Sequence, residues 1–455
     1  MQPVENTDRT KRLVGLSLVL LASSFFVLIG FTLSQRPPAG SCDFGAVYYP
    51  TRFLVQHQDP YVYLQSSYLA FKAQGYLQPG AISVADRFYI PCVYPPTALL
   101  VTAPLALLPW HSADLVWLTV SAASLVIGAI LTWTLAADSA PLFAGALIGF
   151  ILVNSITVLF EANAAGPAVG LCAVAVALFL KNRFSAVAII CLAISLCLKP
   201  HDGGLVWLFL LVSGGVLRRR ALQTLLAVAL LAIPAVLWVS HLSPDWPRKL
   251  SGNIASLSAR GGINDPGPTT YTSHVTNSAV NLQTFFSVFV DRPGFYNAAT
   301  YLVCTILLLW LLWMTVRATG TVAQQYLGLA AVTALAMLPL YHRHHDARLL
   351  LLAVPACAIL WTQRSILGKI GVLIATVSIA VTGDIPRAIL ENLDAGHHFT
   401  VSTLSGKLQM ILFNRPAALA LLIMTVYFLW LYTRRLPEPT HSEAGSPQLK
   451  AVQLG

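Results

Sequence analysis

Charge is what this 455-residue chain has least of: Asp, Glu, Lys and Arg together make up 10% of it, against 56% hydrophobic residues, with a mean hydropathy of +0.70. Soluble globular domains carry about a quarter charged residues, so a water-soluble fold is excluded. Acids are the scarcer sign, with 18 Asp and Glu against 28 Lys and Arg. The net charge of +10 does not point to nucleic acid, because the basic residues stand in short clusters between apolar runs, as positive-inside topology requires. Walker loop, dinucleotide fingerprint and zinc-protease motif are all missing, which leaves a soluble nucleotide cofactor without a visible home. No small-residue cleavage site closely follows the first apolar run, Leu13 to Leu33, so that run reads as an uncleaved span.

What is present is a series of apolar runs: 94 to 109, 113 to 136, 141 to 160, 164 to 180, 184 to 198, 203 to 217, 221 to 240, 298 to 316, 322 to 340, 347 to 362, 367 to 383 and 409 to 432. The chain divides into a cytoplasmic amino terminus (1–12), a transmembrane domain (13–433) and a polar cytoplasmic tail (434–455). Two large polar stretches, 34 to 93 and 241 to 297, interrupt the runs. Arg9, Lys11 and Arg12 place the amino terminus inside. Counting back from Arg434 and Arg435, the clusters at Arg364, Arg317, Arg218 to Arg220 and Lys181 to Arg183 also fall inside. The two large stretches, Asn163, Lys199 to Asp202 and Tyr341 to Asp346 then fall outside. Three runs between Asp43 and Asn163 break this parity, and the run 141 to 160 is expected to dip in and return or to pack without spanning. The expected architecture is an all-α polytopic membrane protein of about 12 transmembrane helices with two large external loops and both termini inside. Five cysteines lie in apolar runs; Cys42 and Cys92 bracket the first external loop, where a disulfide and two unpaired thiols are both open.

Candidate chemistry gathers on the outer side. Asp43 follows the first span, where a carboxylate stays ionised by facing water or a cavity and can serve as a general base, or can simply cap a helix. Asp59-Pro60-Tyr61 reads chiefly as a turn opener. Lys199-Pro200-His201-Asp202 interrupts two short spans, and its lysine and histidine suit a lipid phosphate at the membrane surface; the plain alternative is a snorkelling lysine in a turn. In Tyr341-His342-Arg343-His344-His345-Asp346-Ala347-Arg348, adjacent histidines diverge and no Glu or Cys set completes a zinc site, so Arg343 and Arg348 with His344 and His345 fit an anionic phosphate better than a metal. The second loop offers Arg260, His274, Asn277, Asn281 and Gln283, each individually more at home as a solvated residue.

Cys42-Asp43-Phe44 with Tyr48-Tyr49, Gln58-Asp59-Pro60-Tyr61, Tyr94-Pro95-Pro96 with Pro104 to Pro109, Leu198-Lys199-Pro200 and the His-rich segment before Leu349 to Pro355 form a recurring order. In that order the chain resembles the polyprenol-phosphate-dependent mannosyltransferases of bacterial glycosyltransferase family 87, from about residue 13 to 360. The resemblance implies a GT-C fold and an inverting, metal-independent transfer of one sugar from a polyprenyl-phosphate donor to a lipid or glycan acceptor, on the outer face of the plasma membrane. It implies Asp43 as base, Lys199 at the donor phosphate, and His344 or His345 at phosphate or acceptor, with Tyr48, Tyr49 and Asn163 nearby. The chain departs from the family at Glu161-Ala162-Asn163-Ala164, where many relatives have Gly-Gln-x-Asn, and it lacks the acidic pair of many other GT-C enzymes. The competing expectations are a transporter or lipid-linked sugar flippase, and a non-catalytic membrane subunit; the absence of two repeating halves weighs against a transporter.

Overall fold

The computed structural model describes residues 2–36, 41–62, 91–268, 279–318, 320–363, 365–394 and 401–434. These are almost all helical, with no strand among them; a single bridge pairs Ala279 with Arg343. Five helices are long and apolar enough to cross a membrane: Thr7–Ser34, Trp110–Ala136, Gly215–Leu242, Pro293–Arg317 and Pro416–Thr433. The chain is therefore a membrane-embedded all-α protein. Shorter apolar helices pack between the long ones and are more thoroughly buried by protein, as Ala165–Leu180 illustrates with nearly every residue enclosed.

In chain order the first half comprises α1 (Gln2–Ser34), α2 (Cys42–Val55), α3 (Pro96–Ala106), α4 (Trp110–Ala136), α5 (Pro141–Val153), α6 (Ile156–Phe160), α7 (Ala165–Leu180), α8 (Ser185–Leu198), α9 (Pro200–Val212) and α10 (Gly215–Leu242). Next come α11 (Trp246–Ser258), α12 (Gln283–Phe289), α13 (Pro293–Arg317), α14 (Val322–Ala336), a 3-10 helix (Asp346–Ala353) and α15 (Val354–Thr362). The chain closes with α16 (Ile366–Val381), α17 (Asp384–Asp394), α18 (Leu404–Gln409), a short π turn (Met410–Asn414) and α19 (Pro416–Thr433).

The segment 141–160 runs beside α1 from end to end, contrary to the expectation that it dips and returns. At one end Arg12 pairs with Asp138 (3.0 Å). At the other, Gly30 abuts Leu159, and the Ser41 amide donates to the Phe160 carbonyl (2.8 Å). Between them the two backbones nearly touch: a Cβ on Gly145 would lie 2.3 Å from the Gly15 carbonyl oxygen, so only paired glycines allow this approach. A break at Asn154 and Ser155 hides the continuity, because it divides a run of about 30 Å into two short helices.

The run 94–109 takes a different course. It starts beside α8, where the Thr97 hydroxyl donates to the Cys197 carbonyl (2.8 Å), and α3 then folds back along α2. The Thr51 and Thr102 hydroxyls meet at 2.8 Å, Arg52 donates to the Ala106 carbonyl (2.7 Å), and the Tyr48 hydroxyl donates to the Leu108 carbonyl (2.7 Å). The chain thus returns to its starting end at Trp110, whose ring lies 5.4 Å from that of Phe44. The isolated sequence could not distinguish this 11-residue hairpin arm from a short span, because both are apolar.

Cys42 and Cys92 are free thiols, so no disulfide closes the first loop. The second polar stretch is not plain loop: α11 and α12 lie within it. On a background with the seven native cysteines replaced, impermeant thiol reagents are expected to label Gln58→Cys and Leu107→Cys from one side of the membrane and Ser139→Cys from the other. Labelling of Ser139→Cys from the same side as Gln58→Cys would contradict the end-to-end course of 141–160.

Candidate functional site

A cavity of about 360 Å³ opens where α2, the 161–163 turn, the α8–α9 junction, α11 and the segment 341–346 converge. One wall is polar, carrying Asp43, Asn163, Lys199, Arg343, His345 and Asp346. The other is apolar, with Tyr94, Leu198 and, from α11, Leu250, Ile254 and Leu257. The last three are spaced four and then three residues apart, which sets them on one helical face while Arg248 and Lys249 lie off it.

Asp43 sits in the first turn of α2, where backbone N–H groups lack helical partners. Its own amide donates to the Glu161 carbonyl (3.0 Å), and its Oδ2 accepts from Asn163 Nδ2 at 2.5 Å. Asn163 Oδ1 accepts in turn from the Ala165 amide (2.8 Å), which fixes the side chain's orientation. Ala162, between the two polar residues, takes a left-handed φ of 51° and is held there as its carbonyl accepts from Trp117 Nε1 (2.8 Å). Burial raises the Asp43 pKa above the ordinary carboxylate value, and the nearby Glu161 charge raises it further; His345, Arg343 and the Asn163 hydrogen bond oppose this. Ligand atoms of Asp43, Glu161 and His345 all lie within 4.8 Å of one another. Glu161 is the acid that departs from the family pattern, and it stands beside the candidate base.

Lys199 also faces the cavity, but it is already engaged. Its ammonium bonds to Asp346 Oδ1 and lies 3.6 Å from Asp202 Oδ2. Burial works against that charge, yet Asp202 and Asp346 hold its pKa above the ordinary lysine value. Arg343 presents its side chain to the cavity, with Nε donating to the Tyr341 hydroxyl, while its amide donates to Asp346 Oδ2 (2.8 Å). His345 lines the cavity with Nδ1 3.4 Å from Glu161 Oε2, and His201 lines it at the start of α9.

The remaining candidates are placed elsewhere. His344 turns away from its neighbour: its Nε2 meets the Thr157 hydroxyl (2.9 Å), with Asp384 3.5 Å away. Arg348 is buried and donates to the carbonyls of Asn154 (2.6 Å), His344 (2.8 Å) and Thr382, which makes it a brace among loops and not a cavity cation. Tyr48 and Tyr49 belong to an aromatic packing cluster, with Tyr49 stacked on Trp110 at 5.3 Å. Asp59 accepts from the Tyr61 amide (2.9 Å), as a turn opener does, and also from Lys249 (2.6 Å), so it fastens α11 to the first loop. Arg260 forms a two-pronged pair with Asp291 outside the cavity. Asn281 and Gln283 are buried and bonded to each other (2.7 Å). His274 and Asn277 lie outside the described residues.

Sequence reading missed Tyr341, Asp346 and the α11 face as parts of the cavity, and it left Glu161 without a role. The spacing of Leu250, Ile254 and Leu257 carried a signal of the third, obscured by the polar residues around it. No family model, curated protein or solved structure matches the chain.

Removing one partner of a buried ion pair costs about 3–5 kcal/mol, because the other charge is left uncompensated. Lys199→Met, which leaves Asp202 and Asp346 without their shared ammonium, is therefore expected to lower the melting temperature in detergent markedly. Lys199→Met combined with Asp346→Leu is expected to recover part of that loss. An unchanged melting temperature in Lys199→Met would show that the pair does not brace the fold.

Proposed function

We propose that the chain is an integral-membrane glycosyltransferase. It moves one sugar, mannose by the family resemblance, from a polyprenyl-phosphate donor to a hydroxyl of a lipid or glycan acceptor on the outer face of the plasma membrane. The observation that carries this reading is the single cavity in which a carboxylate of raised pKa faces buried and half-buried cations across from an apolar helix face. A polyprenyl-phosphate sugar has matching parts: an anionic phosphate, a polar sugar and a long hydrocarbon tail.

The roles follow from placement. Asp43 takes the proton of the acceptor hydroxyl, a step for which a base titrating closer to neutrality is better suited than an ordinary aspartate. The acceptor oxygen bonds to the anomeric carbon from the face opposite the phosphate, and the C–O bond to phosphate breaks with its electron pair leaving on the polyprenyl phosphate. The configuration inverts. Arg343 is the cation best placed to take up the growing phosphate charge, since it lines the cavity and, among the described residues, its guanidinium is not committed to a carboxylate. Lys199 contributes to the same positive field while held by Asp202 and Asp346. The prenyl tail would lie along Leu250, Ile254 and Leu257.

The topology proposed for this enzyme keeps about twelve passes with both termini inside, with 141–160 counted as a crossing and 94–109 not. That exchange preserves the parity on which the basic clusters agree.

Asp43→Asn is expected to abolish transfer from polyprenyl-phosphate mannose, followed by mass spectrometry of the product glycan; full activity in that variant would sink the assignment. The substitution should not lower stability at pH 7–8. The folded-state pKa of Asp43 lies above its unfolded value, so folding favours the protonated form, and stability falls as pH rises across the interval between the two values. Asparagine stays neutral across it. Glu161→Gln removes the charge that helps to raise the Asp43 pKa, so the acidic limb of the pH–activity profile is expected to move to lower pH. Movement of labelled lipid across proteoliposomes with no covalent product would favour a flippase instead.

A further inference from the structure

We infer that His201, Asp202 and His342 form a binding site for a divalent transition-metal ion, zinc by the donor set, adjacent to but separate from the Asp43 centre. The donor atoms of the three residues lie within 4.8 Å of one another. Sequence reading set metal aside because the histidines of 341–346 diverge. It could not see that the turn opening α9 brings a histidine and an aspartate from 140 residues away to meet one of them.

Three observations carry the site. The first is spacing: His201 Nε2 and His342 Nε2 lie 3.5 and 3.4 Å from Asp202 Oδ1. Donors arranged tetrahedrally around zinc at bond lengths of ~2.0–2.1 Å stand about 3.3–3.4 Å apart, which these separations approach.

The second is unmet bonding capacity. Asp202 and His342 are fully buried, yet both Asp202 carboxylate oxygens and His342 Nε2 are without a hydrogen-bond partner among the described residues. His342 Nδ1 lies 3.0 Å from the Leu340 carbonyl oxygen, an acceptor only, so the ring proton belongs on Nδ1. With Nδ1 held by that carbonyl, Nε2 is the ring atom that faces Asp202 Oδ1. Ring orientation by a backbone carbonyl is also how metal-bound histidines are commonly held.

The third is charge. Lys199 shares one ammonium between two buried carboxylates, Asp202 and Asp346. A second cation at Asp202 Oδ1 balances the second acid, and it approaches from the oxygen opposite the one facing Lys199. His201 supplies the entry path, since its side chain is 33% exposed and lines the cavity, which leaves the fourth position to water or a substrate oxygen.

The ion ties the start of α9 to the 341–346 segment, and its binding does not depend on whether the chain transfers sugar. The test is metal content by mass spectrometry on full-length protein purified in detergent, stripped with chelator and dialysed against zinc. Wild type is expected to retain about one zinc per chain and to melt at a higher temperature with it. Asp202→Asn and His342→Gln are expected to lose affinity by about tenfold or more. His345→Gln, which removes a donor of the neighbouring Asp43–Glu161–His345 cluster, is expected to keep the ion.

Wild type that takes up no zinc, or retention at wild-type affinity in both Asp202→Asn and His342→Gln, overturns the site. Loss of the ion in His345→Gln with retention in His342→Gln also overturns it, by moving the ion to the other cluster. If the buried variants fail to fold, His201→Gln, at a half-exposed position, carries the same expected loss. The wild-type cobalt(II) spectrum provides a further readout without substitution: imidazole–carboxylate cobalt bands are expected, and their absence overturns the proposal.

Discussion

The Lys199–Asp346 pair is the contact on which the cavity depends. It joins the break between α8 and α9 to the first residue of the 3-10 helix, two places where the chain leaves regular α-helix inside an apolar protein. Irregular backbone at such depth is tolerated only where it is enclosed by protein or lines a cavity, and this pair satisfies both conditions at once. Asp346 additionally accepts from the Arg343 amide, so one buried acid fixes the lysine and shapes the turn that presents Arg343 and His345. The price of burying these charges is high, and a chain with so few acids concentrates them here.

From that anchor the polar groups sort into two neighbouring clusters with different characters. Asp43 and His345 line the cavity, with Glu161 close behind them. Asp202 and His342 are sealed beneath it, with His201 at the boundary. In the first cluster burial and the neighbouring Glu161 raise the Asp43 pKa; in the second, buried carboxylate and imidazole atoms face one another at 3.4–3.5 Å.

Much of this was legible in the sequence. The helical class and the helices of the apolar runs followed from run length, whereas α2, α11, α12, α17 and α18 lie outside those runs; Asp43, Asn163, Lys199, Arg343 and His345, drawn from four separate stretches, do share one cavity. The errors have physical causes. Arg343 and Arg348 were grouped by proximity in sequence, but the intervening turn and 3-10 helix send Arg348 to the carbonyls of other loops. His344 and His345 diverge, as adjacent side chains should, so only one reaches the cavity. Run length could not tell the course of 94–109 from that of 141–160, because both are apolar and the difference lies in what each packs beside. Glu161 drew little weight as an isolated acid; its meaning appears only when the α2 amide docks on its carbonyl.

The clasp between Asp59 and Lys249 gives the cavity walls unequal stiffness. The Lys199 and Asp346 side chains retain 11% and 2% of their exposure, whereas those of Asp59 and Lys249 retain 17% and 30%. Dissolved ions weaken the second pair far more than the first. The greasy face of α11 therefore hangs from a hinge point that ionic strength can loosen, while the more deeply buried pair is little affected: a soft gunwale on a hard keel.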